Sequence, residues 1–181
     1  KGSGTNSGVI AGLDWVRTNN VVGQKAVVNM SLGGGASATL DAAVNNLILS
    51  GVTVVVAAGN SARDACSYSP SRVPNAVTTG ATTSTDAMAS YSNFGKCLDL
   101  FAPGSNIVSS NLSGGSVSYS GTSMASPHVA GAAAVILGSS PTNLTPSQVV
   151  AGLSTNASTG KVKLPSNAVK STTKKLLVIS Q

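Results

Sequence analysis

The sequence predicts an α/β fold with a mainly parallel sheet, and three observations carry that prediction. Ala26 to Leu32 reads as a strand, Ala38 to Ser50 as a helix and Val52 to Ala57 as a second strand, with Gly33-Gly34-Gly35 and Gly51 at the joints. Strand, helix and strand with short glycine-marked connections make a βαβ unit, whose crossover is right-handed. The second strand is apolar almost throughout, the pattern of a strand buried on both faces of a parallel sheet. Finally, the 181 residues are 41% hydrophobic and 9% charged with 20 glycines, which suits a tightly packed α/β core and excludes disorder.

In chain order, Val9, Leu13 and Val16 fall at helical spacing between Ser7 and Val16, and Asn19-Asn20 and Gly23 break the pattern. The helix over 38–50 places Leu40, Val44, Leu47 and Ile48 on one face, with Ser37 as N-cap. Asn60 to Asn75 is polar, carries Pro70 and Pro74, and reads as an ordered loop. Short strands follow at Ala76 to Gly80 and Leu98 to Phe101, with a turn at Pro103-Gly104, and Ser116 to Ser120 alternates as a strand. The small and aliphatic run Ala125 to Leu137 reads as a buried helix. Thr145-Pro146 starts another, with Val149, Val150 and Leu153 on its buried side. Pro165 to Thr173 reads as loop and Leu176 to Ile179 as a final edge strand. No repeat divides the chain, so residues 1–181 are read as one domain, long enough for a sizeable core.

The formal charge is +6, with Lys161, Lys163, Lys170, Lys174 and Lys175 grouped near the C-terminal end. Nucleic-acid binding calls for stacking aromatics among such charges. That segment has none, so a solvated basic surface is the better reading and no nucleic-acid partner is expected. No apolar run reaches membrane-span length, so no membrane partner is expected either. No leader opens the sequence, so a cytosolic or an already processed protein is expected. Cys66 and Cys97 have no metal spacing around them; a disulfide in an exported protein and two buried thiols both fit.

The chemistry concentrates at Gly121-Thr122-Ser123, a glycine-led turn between strand and helix. A serine there sits by the unpartnered amides and positive end of the helix, a place for a nucleophile and a developing oxyanion, or simply an N-cap. A nucleophilic serine needs a base, a group to orient it, and oxyanion donors. Donors exist in the Ser123 amide and in Asn60, at the end of the buried strand where parallel sheets present functional groups. Asn60 is otherwise a loop residue bonding its own backbone. The base is absent. The one histidine, His128, lies five residues on, turned by about 140° and displaced by about 7.5 Å along the helix, too far to take the Ser123 proton.

The block Gly121-Thr122-Ser123-Met124-Ala125-Ser126-Pro127-His128-Val129-Ala130-Gly131 resembles the nucleophile block of the subtilisin-like serine proteases. Val28 to Gly35 and Val54 to Asn60 follow in that family's order. Asp64 to Pro70 and Tyr91 to Gly104 are similar to its proteinase K branch, nearest the bacterial aqualysin-like members, and the likeness weakens beyond about Leu153. It implies a three-layer α/β fold with a central, mainly parallel sheet. Within it, Ser123 is the acylated nucleophile and Asn60 the side-chain oxyanion donor. Ser31-Leu32-Gly33 pairs with a protein or peptide substrate, Gly2-Ser3-Gly4 is the facing strand, and the peptide adds between them as a β-strand. Ala57, Ala58 and Gly59 with Gly33 wall a roomy apolar S1 pocket. Pro74 and Ala76 carbonyls with the Asp99 carboxylate hold a structural calcium, no catalytic cofactor is expected, and Cys66 and Cys97 form a disulfide in a secreted, extracellular enzyme. The family's catalytic Asp and His lie upstream of every residue here, as do its first strands. The expectation is therefore the C-terminal portion of one peptidase domain, with Asp and His on an absent N-terminal part or companion fragment. The alternative is an inactive fragment that retains a peptide groove.

Overall fold

The computed structural model describes residues 2–21, 23–168 and 171–179; Lys170 of the basic group lies outside the described residues. The first helix, α1 (Asn6–Asn19), starts at Thr5, whose hydroxyl accepts from the Gly8 N–H as an N-cap. Strand β1 (Val27–Met30) is shorter than expected because Ser31–Gly33 leave the ladder. After β2 (Gly34–Gly35) comes α2 (Ala38–Leu49), capped by Ser37 as its sequence predicts. Gly51 stops α2 in the left-handed conformation open to glycine, φ 97°. All of β3 (Thr53–Ala57) is buried.

The polar segment that follows is ordered, as expected. It holds a 3-10 turn at Ala65–Ser67 and a short strand, β4 (Tyr68–Ser69), antiparallel to β2. Next come β5 (Val77–Thr82) and β6 (Leu100–Pro103), then a hairpin of β7 (Ile107–Ser110) and β8 (Ser116–Tyr119). Sequence reading found β8 but not β7. Helix α3 spans Thr122–Ser139, and α4 (Pro146–Asn156) begins with a capping box between Thr145 and Gln148. Two short strands, β9 (Ser158–Thr159) and β10 (Lys175–Leu176), complete the main sheet.

The sheet order is β1-β3-β5-β6-β10-β9, parallel from β1 to β10 and antiparallel at β9. This corrects the expected edge strand over 176–179: the ladder takes only Lys175 and Leu176, and β9 covers its outer side. The pleat sorts β3 between two layers. Val54 and Val56 join Leu13, Leu40, Val44 and Leu47 of α1 and α2, while Val55 joins Val129, Leu137 and Leu153 of α3 and α4. That is a three-layer α/β fold. Helix α3 is not buried all round, as its composition suggested. Ala125, Val129, Ala132 and Ala133 are buried, whereas Gly131, Ala134 and Val135 are exposed. The parallel arrangement brings the C-terminal ends of β1 and β3 to one edge, where open α/β sheets place their ligands. The first turn of α3 meets them there, through hydrogen bonds to Ser31 and Asn60.

Candidate active site

Ser123 is the second residue of α3, not its cap. Gly121 holds the cap position and makes no side-chain cap bond. Ser123 Oγ donates to the Ser31 carbonyl at 3.3 Å, and Ser31 Oγ donates to the Ser123 carbonyl at 2.8 Å. That carbonyl is free because of Pro127, which stands four residues on and has no N–H to close the helical bond. Asn29 supports the pair from β1: its Nδ2 donates to Ser31 Oγ at 2.9 Å and its Oδ1 accepts from Ser126 Oγ at 2.6 Å. The start of α3 is thus bound side by side to the end of β1.

Asn60 is fixed from the same turn. Its Oδ1 accepts from the Thr122 N–H at 2.8 Å and from Thr122 Oγ1 at 2.9 Å, and Thr122 Oγ1 in turn accepts from the Gly59 N–H at 3.1 Å. A backbone N–H is a donor only, so the side-chain atom it meets must be the amide oxygen. The Nδ2 group is left over. Among the described residues, neither Asn60 Nδ2 nor the Ser123 N–H has a hydrogen-bond partner. Buried beneath the same turn, Asn93 bonds to residues 58, 59, 61 and 63.

Leu32, Gly33, Ala57, Ala58, Gly59, Asn60 and Ser123 line one cavity of about 390 Å³. The structure therefore gathers most of the expected constellation, with Ser31 bonded to Ser123 at its edge. It does not gather Gly2, Ser3 and Gly4, which are exposed and absent from the cavity wall. The pocket also corrects the expectation of apolar walls. Tyr68, Ser69, Ser71 and Asn93 line it too, because β4 pairs with the glycine strand and closes the far side. Among the described residues, no charged side chain lines it. Sequence reading missed Thr122 and Asn93; the first adjoins Ser123, and the second lies within the Tyr91–Gly104 block, where the resemblance gave it no role.

Among the described residues, no base stands within hydrogen-bond reach of Ser123 Oγ, whose partner is the Ser31 carbonyl. His128 and Ser123 both border a shallow depression with Met124 and Pro127, but the His128 Nδ1 is bonded to the Met124 carbonyl of its own helix at 2.8 Å. Three of the aspartates are engaged elsewhere. Asp14 pairs with Arg17, Asp41 with Arg72, and Asp64 accepts from the Cys66 N–H.

Asp99 is the perturbed group. Crowding by surrounding protein raises its carboxyl to about 6, against the Thr78 N–H, which donates to Oδ2 at 2.7 Å, and the charge of Lys175. Solvent still reaches the residue, so this shift translates into little stability. Pro74, Ala76 and Asp99 line one cavity, and the Pro74 carbonyl accepts no hydrogen bond among the described residues. One accessible carboxylate beside main-chain carbonyls fits a hard, oxygen-seeking cation such as calcium. The cysteines form a disulfide, Cys66–Cys97, with Cα atoms 5.3 Å apart, joining the segment after Asn60 to the one after Asn93.

Comparison with known proteins agrees with this geometry. Residues 1–173 match the Subtilase family. The chain is 62% identical over 164 residues to an extracellular serine proteinase of Thermus sp. (strain Rt41A), covering 90% of this chain and 39% of that protein. It is 56% identical over 161 residues to alkaline serine exoprotease A of Vibrio alginolyticus, covering 89% of this chain and 30% of that one. Among solved structures, a cold adapted subtilisin-like serine proteinase superposes with a TM-score of 0.93 at 53% identity, covering 100% of this chain and 64% of its own. The chain thus spans less than two thirds of each of these relatives, and on this match it belongs to the Subtilase family.

Proposed function

We propose that this chain carries the nucleophile, oxyanion donors and S1 pocket of a secreted serine endopeptidase. Ser123 Oγ attacks the scissile carbonyl carbon and passes its proton to a histidine base, which an aspartate orients. The base returns the proton to the leaving amine as the peptide C–N bond breaks. Water, activated by the same base, then releases the acyl group from Ser123. Asp and His come from an N-terminal part of the protein or a companion fragment, since no residue of this chain fills their roles.

The observation that carries the reading is the state of Asn60. With its oxygen held by Thr122 at 2.8 and 2.9 Å, its Nδ2 is left to donate with the Ser123 N–H to the tetrahedral oxyanion. The substrate lies extended along Ser31–Gly33, and an uncharged P1 side chain fills the 390 Å³ pocket. Gly2–Gly4 form the opposite rim once a peptide is bound. Calcium on Pro74, Ala76 and Asp99 supplies stability and takes no part in the chemistry. Secretion is supported by the names of the Thermus and Vibrio relatives and by the disulfide; no helix among the described residues is long and apolar enough to cross a membrane.

A second reading, an inactive fragment with a peptide groove, is favoured by the missing base alone. A fluorophosphonate probe separates the two. In the full-length protein, labelling at Ser123 is expected, and it is lost in Ser123→Ala. A folded full-length protein that binds peptides but never labels would leave only the groove.

A further inference from the structure

We propose that Asn93 is a positioning residue for the oxyanion donor: from beneath Gly59 it fixes the turn on which Asn60 presents its Nδ2. The inference rests on the assignment of Asn60 above.

Asn93 is 0% exposed and lies between β5 and β6, far in sequence from the turn it holds. Its Nδ2 donates to the Ala58 carbonyl at 2.8 Å, and its Oδ1 accepts from the N–H groups of Ser61 at 3.0 Å and Arg63 at 3.1 Å. Its own N–H donates to the Gly59 carbonyl at 2.9 Å, and the Ala62 N–H goes to the nearby Tyr91 carbonyl at 2.9 Å. Every residue from 58 to 63 except Asn60 is therefore bonded to the 91–93 segment, and Asn60 is the one whose side-chain oxygen goes to α3 instead. The segment is itself anchored to the sheet, since Ser92 Oγ accepts from the Ala81 N–H of β5 at 3.1 Å and donates to the Asn93 carbonyl at 2.9 Å.

Few side chains fit this place. One donor and one twice-used acceptor on the same planar group describe an amide; a carboxylate lacks the donor, and an aliphatic side chain leaves two N–H groups and a carbonyl unpaired. The packing is equally tight. Gly59 has φ 101°, and a Cβ there would stand 2.5 Å from Asn93 Nδ2, so turn and amide meet without a gap. Thr122 sets the Asn60 oxygen from one side, and Asn93 sets its backbone from the other. An oxyanion donor acts only where the developing charge appears, so loosening either clamp lowers turnover while substrate binding survives.

The test is a double-mutant cycle in the full-length protein, with kcat and KM measured on one peptide substrate and Tm recorded for each variant. Asn93→Ala is expected to lower kcat about 10- to 100-fold with KM changed less than about 3-fold, part of the loss for removing the donor itself. In an Asn60→Ala background the same substitution should change kcat by less than about 3-fold, because the donor it positions is gone. Asn93→Asp keeps the acceptor for Ser61 and Arg63, and in this buried place its carboxyl stays neutral and can still donate to Ala58; it is expected to fold and to lose about 3- to 10-fold in kcat, less than Asn93→Ala. It carries the same cycle should Asn93→Ala fail to fold. Additive losses in the cycle, or a lowered Tm at unchanged kcat, overturn the proposal and leave Asn93 a purely structural residue. Wild-type kcat in Asn60→Ala would instead overturn the oxyanion assignment on which it rests.

Discussion

Asn60 is held through its oxygen by Thr122 and rides on a turn bonded to Asn93, whereas Gly2, Ser3 and Gly4 are exposed and enter no hydrogen bond among the described residues. Resemblance assigns both segments to one substrate cleft, yet one is held by hydrogen bonds and the other by none among the described residues. The difference follows from what each contacts. A donor to a developing charge must already stand in place, because reorientation during the reaction would cost part of the stabilisation it provides. A backbone strand that pairs with an extended peptide is completed by the peptide, whose amides and carbonyls supply the missing partners. On the proposed assignment, preorganisation is concentrated on the side that would handle charge.

The sharpest way to break this contrast is to remove the fixed donor. Asn60→Ala in the full-length protein is expected to lower kcat by about 10²–10³ with little change in KM, the cost measured for such a donor in a subtilisin. An equal rise in KM would mean that Asn60 grips the ground state, and the contrast between the two rims would disappear.

The disulfide tests whether the pinned rim is pinned by covalent or by hydrogen-bonded means. Replacing Cys66 and Cys97 together by alanine opens a loop of sequence separation 31, which lowers stability by about 3–4 kcal/mol in the chain-entropy picture and Tm by about 6–16 °C. Because Asn93 grips the turn independently, kcat at 25 °C is expected to stay within about 3-fold of wild type. A fall as large as that of Asn60→Ala would assign the pinning to the sulfurs.

The calcium site proposed at Asp99 shares no lining residue with the Asn60 cavity and sharpens the comparison by contrast. At a hundred times its dissociation constant, a bound ion stabilises by about 2.7 kcal/mol, or about 5–11 °C in Tm for a chain of this size. Chelation should remove that increment from the wild type and change nothing in Asp99→Asn, with kcat unaltered below the melting range. Equal responses of both proteins to chelator would move the ion elsewhere.

How far these features were legible in the sequence depended on whether they are local. The βαβ unit announced itself through Gly33-Gly34-Gly35, Gly51 and the run Val54-Val55-Val56, because propensity, turn chemistry and burial agree there. The cap at Ser37 and the helix start at Thr145-Pro146 were legible for the same reason. Strand β9 was missed and β10 misplaced because two-residue ladders carry no periodicity, and their pairing depends on partners far along the chain. The site divided in the same way. Ser123 and Asn60 stand at element ends and in motifs, whereas Asn93 acts across 35 residues on the Ala58 carbonyl, a distance no local pattern spans. The Pro127 effect lay between the two: a helix-interior proline is visible in sequence, but not that the carbonyl it frees is taken by Ser31.

The smallest expected effect falls on the exposed Gly2–Gly4 segment and is the most informative about it. Gly4 lies just before the Thr5 cap, with φ outside the left-handed region and nothing within 4 Å of where a Cβ would stand. Gly4→Ala therefore meets no steric obstacle in the free protein, and its stability should stay within about 0.5 kcal/mol of wild type. A peptide lying against this segment would bring its own backbone within van der Waals reach of the new methyl, since bare glycines permit an approach that alanine does not. KM on an extended peptide is then expected to rise a few-fold, about 3- to 10-fold, while kcat and labelling of Ser123 by a small fluorophosphonate remain unchanged, because a short probe does not reach the rim. An unchanged KM would remove Gly2–Gly4 from the cleft and leave Ser31–Gly33 to bind the peptide from one side. A loss of kcat without a change in KM would show instead that the exposed segment acts on the same charge as Asn60, and the division of labour between the rims would fail.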